Sequence, residues 1–157
     1  MAETYGYSGK VMEIFRHPHN IGRIKDADAV GKVGNPQCGD LMWMFLKIGK
    51  DKAGEETIKD VKVKTFGCVA AIATSSVLTD LIKGKTLKAA MKTNKQDIVD
   101  VLDGLPGQKI HCSILAIDAL KEAVYDYLKR NKMPIPKDLK EIHERAERVR
   151  KMIEHRH

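Results

Sequence analysis

A period-two pattern that ends abruptly constrains this chain most. Residues 58–66 place Val61, Val63 and Thr65 on one face and Lys62 and Lys64 on the other, as in a half-buried antiparallel strand. From residue 69 the alternation is gone. Residues 69–83 are apolar and rich in small side chains, and Gly84 is a natural helix stop. Upstream, 41–48 is nearly all apolar, with Trp43 and Phe45, and reads as a second strand. Gly, Asp and Lys in 49–56 suit a hairpin connection. Residues 26–33 mix small and charged residues and hold a first, weakly marked strand. Strands first and helices after predict an α+β class, a small three-stranded antiparallel sheet packed against helices.

The remaining segments read as helices. Residues 7–15 (Val11, Met12, Ile14, Phe15) suit a short amphipathic helix ended near Pro18. Thr86 caps a helix through Met91, and Asn94, with Asp97 three residues on, caps another through Leu102. Residues 103–107 form a loop by their chemistry. Residues 111–130 carry apolar side chains at 117, 120, 124 and 127 or 128, a helix facing the core. Met133-Pro134-Ile135-Pro136 breaks the chain. Beyond it Leu139, Ile142, Ala146, Val149 and Ile153 recur at steps of three and four. Glu141 and Arg145, Glu144 and Arg148, Glu147 and Lys151 are opposite charges four apart. An additional C-terminal helix is expected, its seam packed on its own domain rather than on a partner. The chain divides into a domain at 1–132 and a helical extension at 133–157.

At 157 residues one core is the default. The longest apolar run, 41–46, is too short to span a bilayer, and residues 1–16 contain Glu3, Lys10 and Glu13 with no continuous apolar stretch. A cytoplasmic protein with no membrane association is expected, in a compartment that keeps three cysteines as thiols. The net charge of +7 is interleaved with Glu near the C-terminus and is not clustered with the few aromatics. It reads as a solvated face, suited to acidic partners and not to nucleic acid.

The chemistry lies in those cysteines. Cys38 sits in Gly34-Asn35-Pro36-Gln37-Cys38-Gly39-Asp40, with a carboxylate two residues on. Cys68 follows Thr65-Phe66-Gly67, and Cys112 follows Lys109-Ile110-His111. The last two open helix-like runs, where unpaired N–H groups and the positive dipole end favour a thiolate. Three thiolates with a nearby Asp and His are the raw material of a metal or iron–sulfur site. No Cys-x-x-Cys pair occurs, so spacing alone does not separate such a site from three buried thiols. Asp40 can equally satisfy turn N–H groups, and His111 can equally cap or pack. His17, His19, His143, His155 and His157 read as solvent or packing residues.

In order, Tyr7-Ser8, Pro18-His19-Asn20-Ile21-Gly22, Val33-Gly34-Asn35-Pro36 with Cys38-Gly39-Asp40, and Thr65-Phe66-Gly67-Cys68 with Ala71-Ile72-Ala73-Thr74-Ser75-Ser76 are followed by Lys83-Gly84-Lys85, Leu105-Pro106 and His111-Cys112-Ser113-Ile114-Leu115-Ala116. Together they resemble the iron–sulfur cluster assembly scaffold family, proteins like IscU and the N-terminal part of NifU. The match runs from about Tyr7 to Lys129.

That resemblance implies a carrier rather than an enzyme. Such a protein receives persulfide sulfur from a cysteine desulfurase, takes up iron, builds a 2Fe-2S cluster and passes it to apo iron–sulfur proteins. It implies Cys38, Cys68 and Cys112 as cluster ligands, Asp40 as the labile fourth and His111 as its competitor. Cys112 is the expected principal sulfur acceptor, because His111, Lys109 and the helix start favour its thiolate. A carboxylate is a hard ligand for a cluster, so the site is expected to hold its cargo loosely. The same ligands suit Zn²⁺ or Fe²⁺ without a cluster, so a zinc-bound sulfur-transfer protein of this fold is the second reading. Two departures stand out. Many members carry Gly-Ser where this chain has Val69-Ala70. The Leu-Pro-Pro-Val-Lys hook for a dedicated Hsp70-type chaperone is here Leu105-Pro106-Gly107-Gln108-Lys109, which makes that partner doubtful. A homodimer stays open.

Overall fold

The computed structural model describes residues 6–35 and 39–156, with side chains through Met152. Ser8 caps α1 (Gly9–Arg16) by accepting the Val11 N–H, and α1 buries Val11 and Ile14. Three antiparallel strands follow, β1 (Ala29–Gly34), β2 (Leu41–Lys50) and β3 (Glu56–Phe66), in that spatial order. The first strand begins later than the sequence reading placed it. Asp28 stays outside it, and its carboxylate accepts the Ile48 N–H of the neighbouring strand. Asp51 closes the β2–β3 hairpin, its Oδ1 accepting the N–H groups of Ala53 and Glu55.

The helical half is α2 (Val69–Ile82), α3 (Leu87–Met91), α4 (Lys95–Val101), a 3₁₀ turn (Gly107–Lys109), α5 (Ile110–Arg130) and α6 (Lys137–Arg156). Thr86 accepts from Ala89 N–H, and Asn94 with Asp97 forms the full reciprocal capping box. The α+β class and the three-stranded sheet stand as expected. Met42, Met44 and Leu46 of β2 and Val61 and Val63 of β3 face the helices and meet Leu78, Ile82 and Leu120 in one core. α2 packs on β3 and α1 packs on α2, while α5 crosses β1. That crossing is close. A Cβ on Gly31 would stand 2.4 Å from the Ala119 carbonyl oxygen, so only glycine admits the helix there.

α6 packs on α5 and β1, so the seam lies on its own domain. Leu139 and Ala146 are buried in the common core. Ile142 and Val149 are half-buried around a cavity of about 70 Å³ that also touches Leu115. Ile153 and the histidines 155 and 157 lie outside the described side chains. The charges of α6 reach across, not only along, the helix. Arg145 lies 3.5 Å from Asp118, and Glu147 lies 3.4 Å from His143 and 3.8 Å from Arg150. Two histidines read as solvent or packing residues also hold carboxylates. His19 Nδ1 is 2.6 Å from Asp80 Oδ2, and His143 Nδ1 is 2.9 Å from Glu122 Oε1. Among the described residues no helix is long and apolar enough to cross a membrane.

Candidate metal centre

Two helix starts and one strand start meet at one end of the sheet. Cys68 is the N-cap of α2, where its side chain lies beside the unpaired amides of the first turn. Cys112 lies in the first turn of α5 and is fully buried. Asp40 immediately precedes β2 and is buried, 8% exposed as a residue. The sulfurs of Cys68 and Cys112 are 3.7 Å apart, and Cys68 Sγ is 4.0 Å from Asp40 Oδ2. His111 Nε2 is 3.6 Å from Cys112 Sγ. One ligand atom each from Asp40, His111 and Cys112 lie within 4.8 Å of one another. Four of the five residues named from the sequence are therefore together. Cys38 lies outside the described residues.

The distances suit a soft metal. Two thiolates on one tetrahedral ion, each bond about 2.3 Å, stand about 3.8 Å apart. The separation of 3.7 Å is that of a pair sharing one ion. With a carboxylate and an imidazole at the margin, the donor set fits zinc or one iron of a cluster.

Without metal the two thiols share a charge. The Cys68 thiol is lowered to about 5, chiefly because Cys112 donates a hydrogen bond to its thiolate, helped by the Ala71 amide and the Lys109 ammonium. Burial opposes this. Cys112 is pushed far up, first by giving that hydrogen bond and then by burial beside a negative sulfur. Sequence context placed the thiolate on Cys112. In the metal-free geometry the direction of the shifts favours Cys68, the more exposed sulfur and the one on which Lys109 chiefly acts. Lys109 is held above its ordinary range mainly by the Cys68 charge. Tyr7, two residues before α1, is raised by burial and by the same thiolate, which brings it to the site.

One positioning residue had no assigned role in the sequence. A Cβ on Gly67 would lie 2.9 Å from Ala71 Cβ and 3.0 Å from Asp40 Cγ. Glycine before Cys68 is thus what lets Asp40 lie against the start of α2. The Phe66-Gly67-Cys68 order carried that signal, but its reason is a contact across twenty-seven residues of chain.

Residues 6–134 match the family described as the NifU-like N terminal domain. The chain belongs to that family. It is 50% identical over 125 residues to iron-sulfur cluster assembly scaffold protein IscU 1 of Archaeoglobus fulgidus, covering 80% of this chain and 78% of the relative. It is 44% identical over 125 residues to IscU of Aquifex aeolicus, with the same coverage. A crystal structure described as a candidate SUF-system scaffold protein from Fervidobacterium islandicum superposes with a TM-score of 0.62 at 22% identity, over 78% of this chain and 99% of that one. At that identity the likeness shows the fold alone.

Proposed function

We propose that this chain is an iron–sulfur cluster assembly scaffold. The observation that carries the reading is the Cys68–Cys112 pair at metal-sharing distance, with the Asp40 carboxylate beside it. The cluster is cargo. Cys68 and Cys112 hold it together with Cys38, the thiol of the 35–40 connection, and Asp40 fills the remaining position as the labile ligand with His111 competing. Soft thiolates retain iron and sulfide, and one hard oxygen leaves an exchangeable position for the thiols of a recipient. A 2Fe-2S cluster is the cargo that such a four-position rim accommodates. The partners are a cysteine desulfurase and apo iron–sulfur proteins, in a reducing compartment such as the cytoplasm. The altered 105–109 hook argues against a dedicated Hsp70-type chaperone. The relatives' names describe scaffolds, in keeping with a carrier that turns over no small-molecule substrate.

Sulfur enters by thiol exchange. A scaffold thiolate attacks the outer sulfur of the desulfurase persulfide. A new S–S bond forms on the scaffold, and the desulfurase cysteine leaves as its thiolate with no external oxidant. Cys112 is the acceptor carried over from the family likeness. Cys68 is a second reading, favoured by its ready thiolate in the metal-free geometry. Mass mapping of the persulfide after mixing with desulfurase and cysteine separates the two.

The test of the scaffold reading is anaerobic reconstitution with iron and sulfide. A visible chromophore is expected in the wild type and not in Cys38→Ser, Cys68→Ser or Cys112→Ser, each still folded by circular dichroism. A colourless wild type that takes up one equivalent of Zn²⁺ instead would establish the zinc-bound sulfur-transfer reading. Full colour in all three variants would reject the shared site.

A further inference from the structure

We propose that the solvent face of the sheet is a docking surface for an acidic protein, the recipient of the cargo. This rests on the scaffold reading above. Phe66 is 60% exposed, the most exposed large apolar side chain among the described residues. It is nonetheless held. Its ring meets Trp43 edge to face, centroids 5.9 Å apart at 81°. Lys32 Nζ stands 5.3 Å from the Trp43 centroid, and Lys64 Nζ stands 5.7 Å from Trp43 and 5.5 Å from Phe66. An ordered aromatic ridge with a cationic margin loses little side-chain freedom on binding, and aromatic residues set in polar rims are the usual anchors of interfaces.

The ridge runs to the site. Phe66 pairs in register with Leu41, the residue after Asp40, and stands two residues before Cys68. In the other direction, Val30, Phe45 and Lys62 are successive register partners on the same face as Lys32, Trp43 and Lys64. There Val30 and Phe45 line a hollow of about 480 Å³ rimmed by Arg23, Lys25 and Arg130. Ridge and hollow thus form one apolar strip with basic margins.

Charge selects the occupant. The acids near this face are already engaged: Asp60 lies 3.4 Å from Lys83, and Asp26 lies 3.2 Å from Lys47. Among the described residues neither Lys62 nor Lys64 has a carboxylate partner. A second copy docking here by two-fold symmetry would set Lys62, Lys64 and Arg23 against like charges. Single-stranded nucleic acid needs open aromatic faces, and the Trp43 ring already carries two ammonium groups. An acidic protein surface with an apolar centre fits both margin and ridge.

The probe is a strongly acidic plant-type apo-ferredoxin, titrated against the full chain without cluster. Wild-type affinity should fall as salt rises. Lys62→Glu with Lys64→Glu should weaken binding about tenfold at low salt and flatten the salt dependence. Phe66→Ser should weaken it with the salt dependence kept. Once cluster is loaded, transfer to the ferredoxin should slow in these variants while cluster loss to a small chelator is unchanged. Equal affinity in the variants, or a wild-type affinity indifferent to salt, overturns the proposal. So does tighter lysine-dependent binding of a single-stranded oligonucleotide or of phosphatidylserine vesicles. A chain that loads no cluster yet binds ferredoxin through these lysines rejects the scaffold reading and keeps the surface.

Discussion

The carboxylate of Glu122, on α5 and 4% exposed, is bonded to His143 of α6, whose Nδ1 lies 2.9 Å and 3.1 Å from its two oxygens. Arg150 Nη1 joins the same carboxylate at 3.1 Å and donates to the Lys32 carbonyl at 2.6 Å. Tyr125 stacks on the His143 ring at 3.9 Å. Lys32 belongs to β1, an edge strand, so α6 also covers part of an exposed sheet edge. Removing one partner of a buried charge leaves that charge poorly solvated. Arg150→Met is therefore expected to cost about 3 kcal/mol in urea denaturation. The midpoint of melting should fall by about 10 °C. A loss under about 0.5 kcal/mol, the level of a surface pair, would mean that water reaches the carboxylate.

Truncation after Pro134 acts differently. It removes both partners of Glu122 but opens that carboxylate to water, so the main loss is the packing of Leu139 and Ala146. That packing is worth about 3 kcal/mol. Residues 1–134, which include the whole family match, are expected to fold, melt lower and still take up cargo. Loss of the near-ultraviolet circular dichroism would assign α6 to the folding unit itself.

Elements whose signal is local were legible in the sequence. The alternation of Val61, Val63 and Thr65, the Asn94–Asp97 box and the Thr86 cap each appear where local chemistry put them. Features made by distant contacts were not. Glu122 reads as a surface charge on α5, and only α6 folding back makes it a buried acceptor. Thr74 and Ser75 look polar within α2, yet both are buried with hydroxyls bonded to carbonyls four residues back. At the site, residue types were readable and charge location was not. Lys109 is three residues from Cys112 in sequence, yet its field falls mainly on Cys68, forty-one residues away.

Gly67→Ala tests the role of Asp40 without touching it. The new methyl would meet Asp40 Cγ at 3.0 Å and Ala71 Cβ at 2.9 Å, so the carboxylate must move. If Asp40 ligates, Zn²⁺ affinity should drop about tenfold, as for other changes that misorient a ligand. Isothermal titration with an unchanged affinity would mean that Asp40 serves the turn alone.

Cysteine reactivity should follow the shared proton. In metal-free Cys38→Ser protein, iodoacetamide should modify Cys68 before Cys112. The rate should be flat above a pH of about 6 and fall as pH drops through about 5, where protonation removes the nucleophile. Lys109→Ala removes a stabilising cation, so the fall should move to higher pH. Preferential labelling of Cys112, read by peptide mass, would place the charge on the other sulfur.

Asp40→Ala should make the cluster longer-lived. Asp40 presents a hard, exchangeable oxygen 4.0 Å from Cys68 Sγ, and His111 stands 3.6 Å from Cys112 Sγ, with ligand atoms of Asp40, His111 and Cys112 all within 4.8 Å of one another. Removing the carboxylate leaves the cysteines in place and opens the fourth position to an imidazole. Imidazole is a softer ligand and an established one for cluster iron. Bleaching of the visible band in air should slow in the variant, and transfer to an apo-acceptor should slow with it. If Asp40 only satisfies its turn, the variant loses a little stability and the cluster decays at the wild-type rate. The double variant Asp40→Ala with His111→Ala should then separate the ligands. Its cluster should be shorter-lived than that of Asp40→Ala alone, and equal lifetimes would remove His111 from the site.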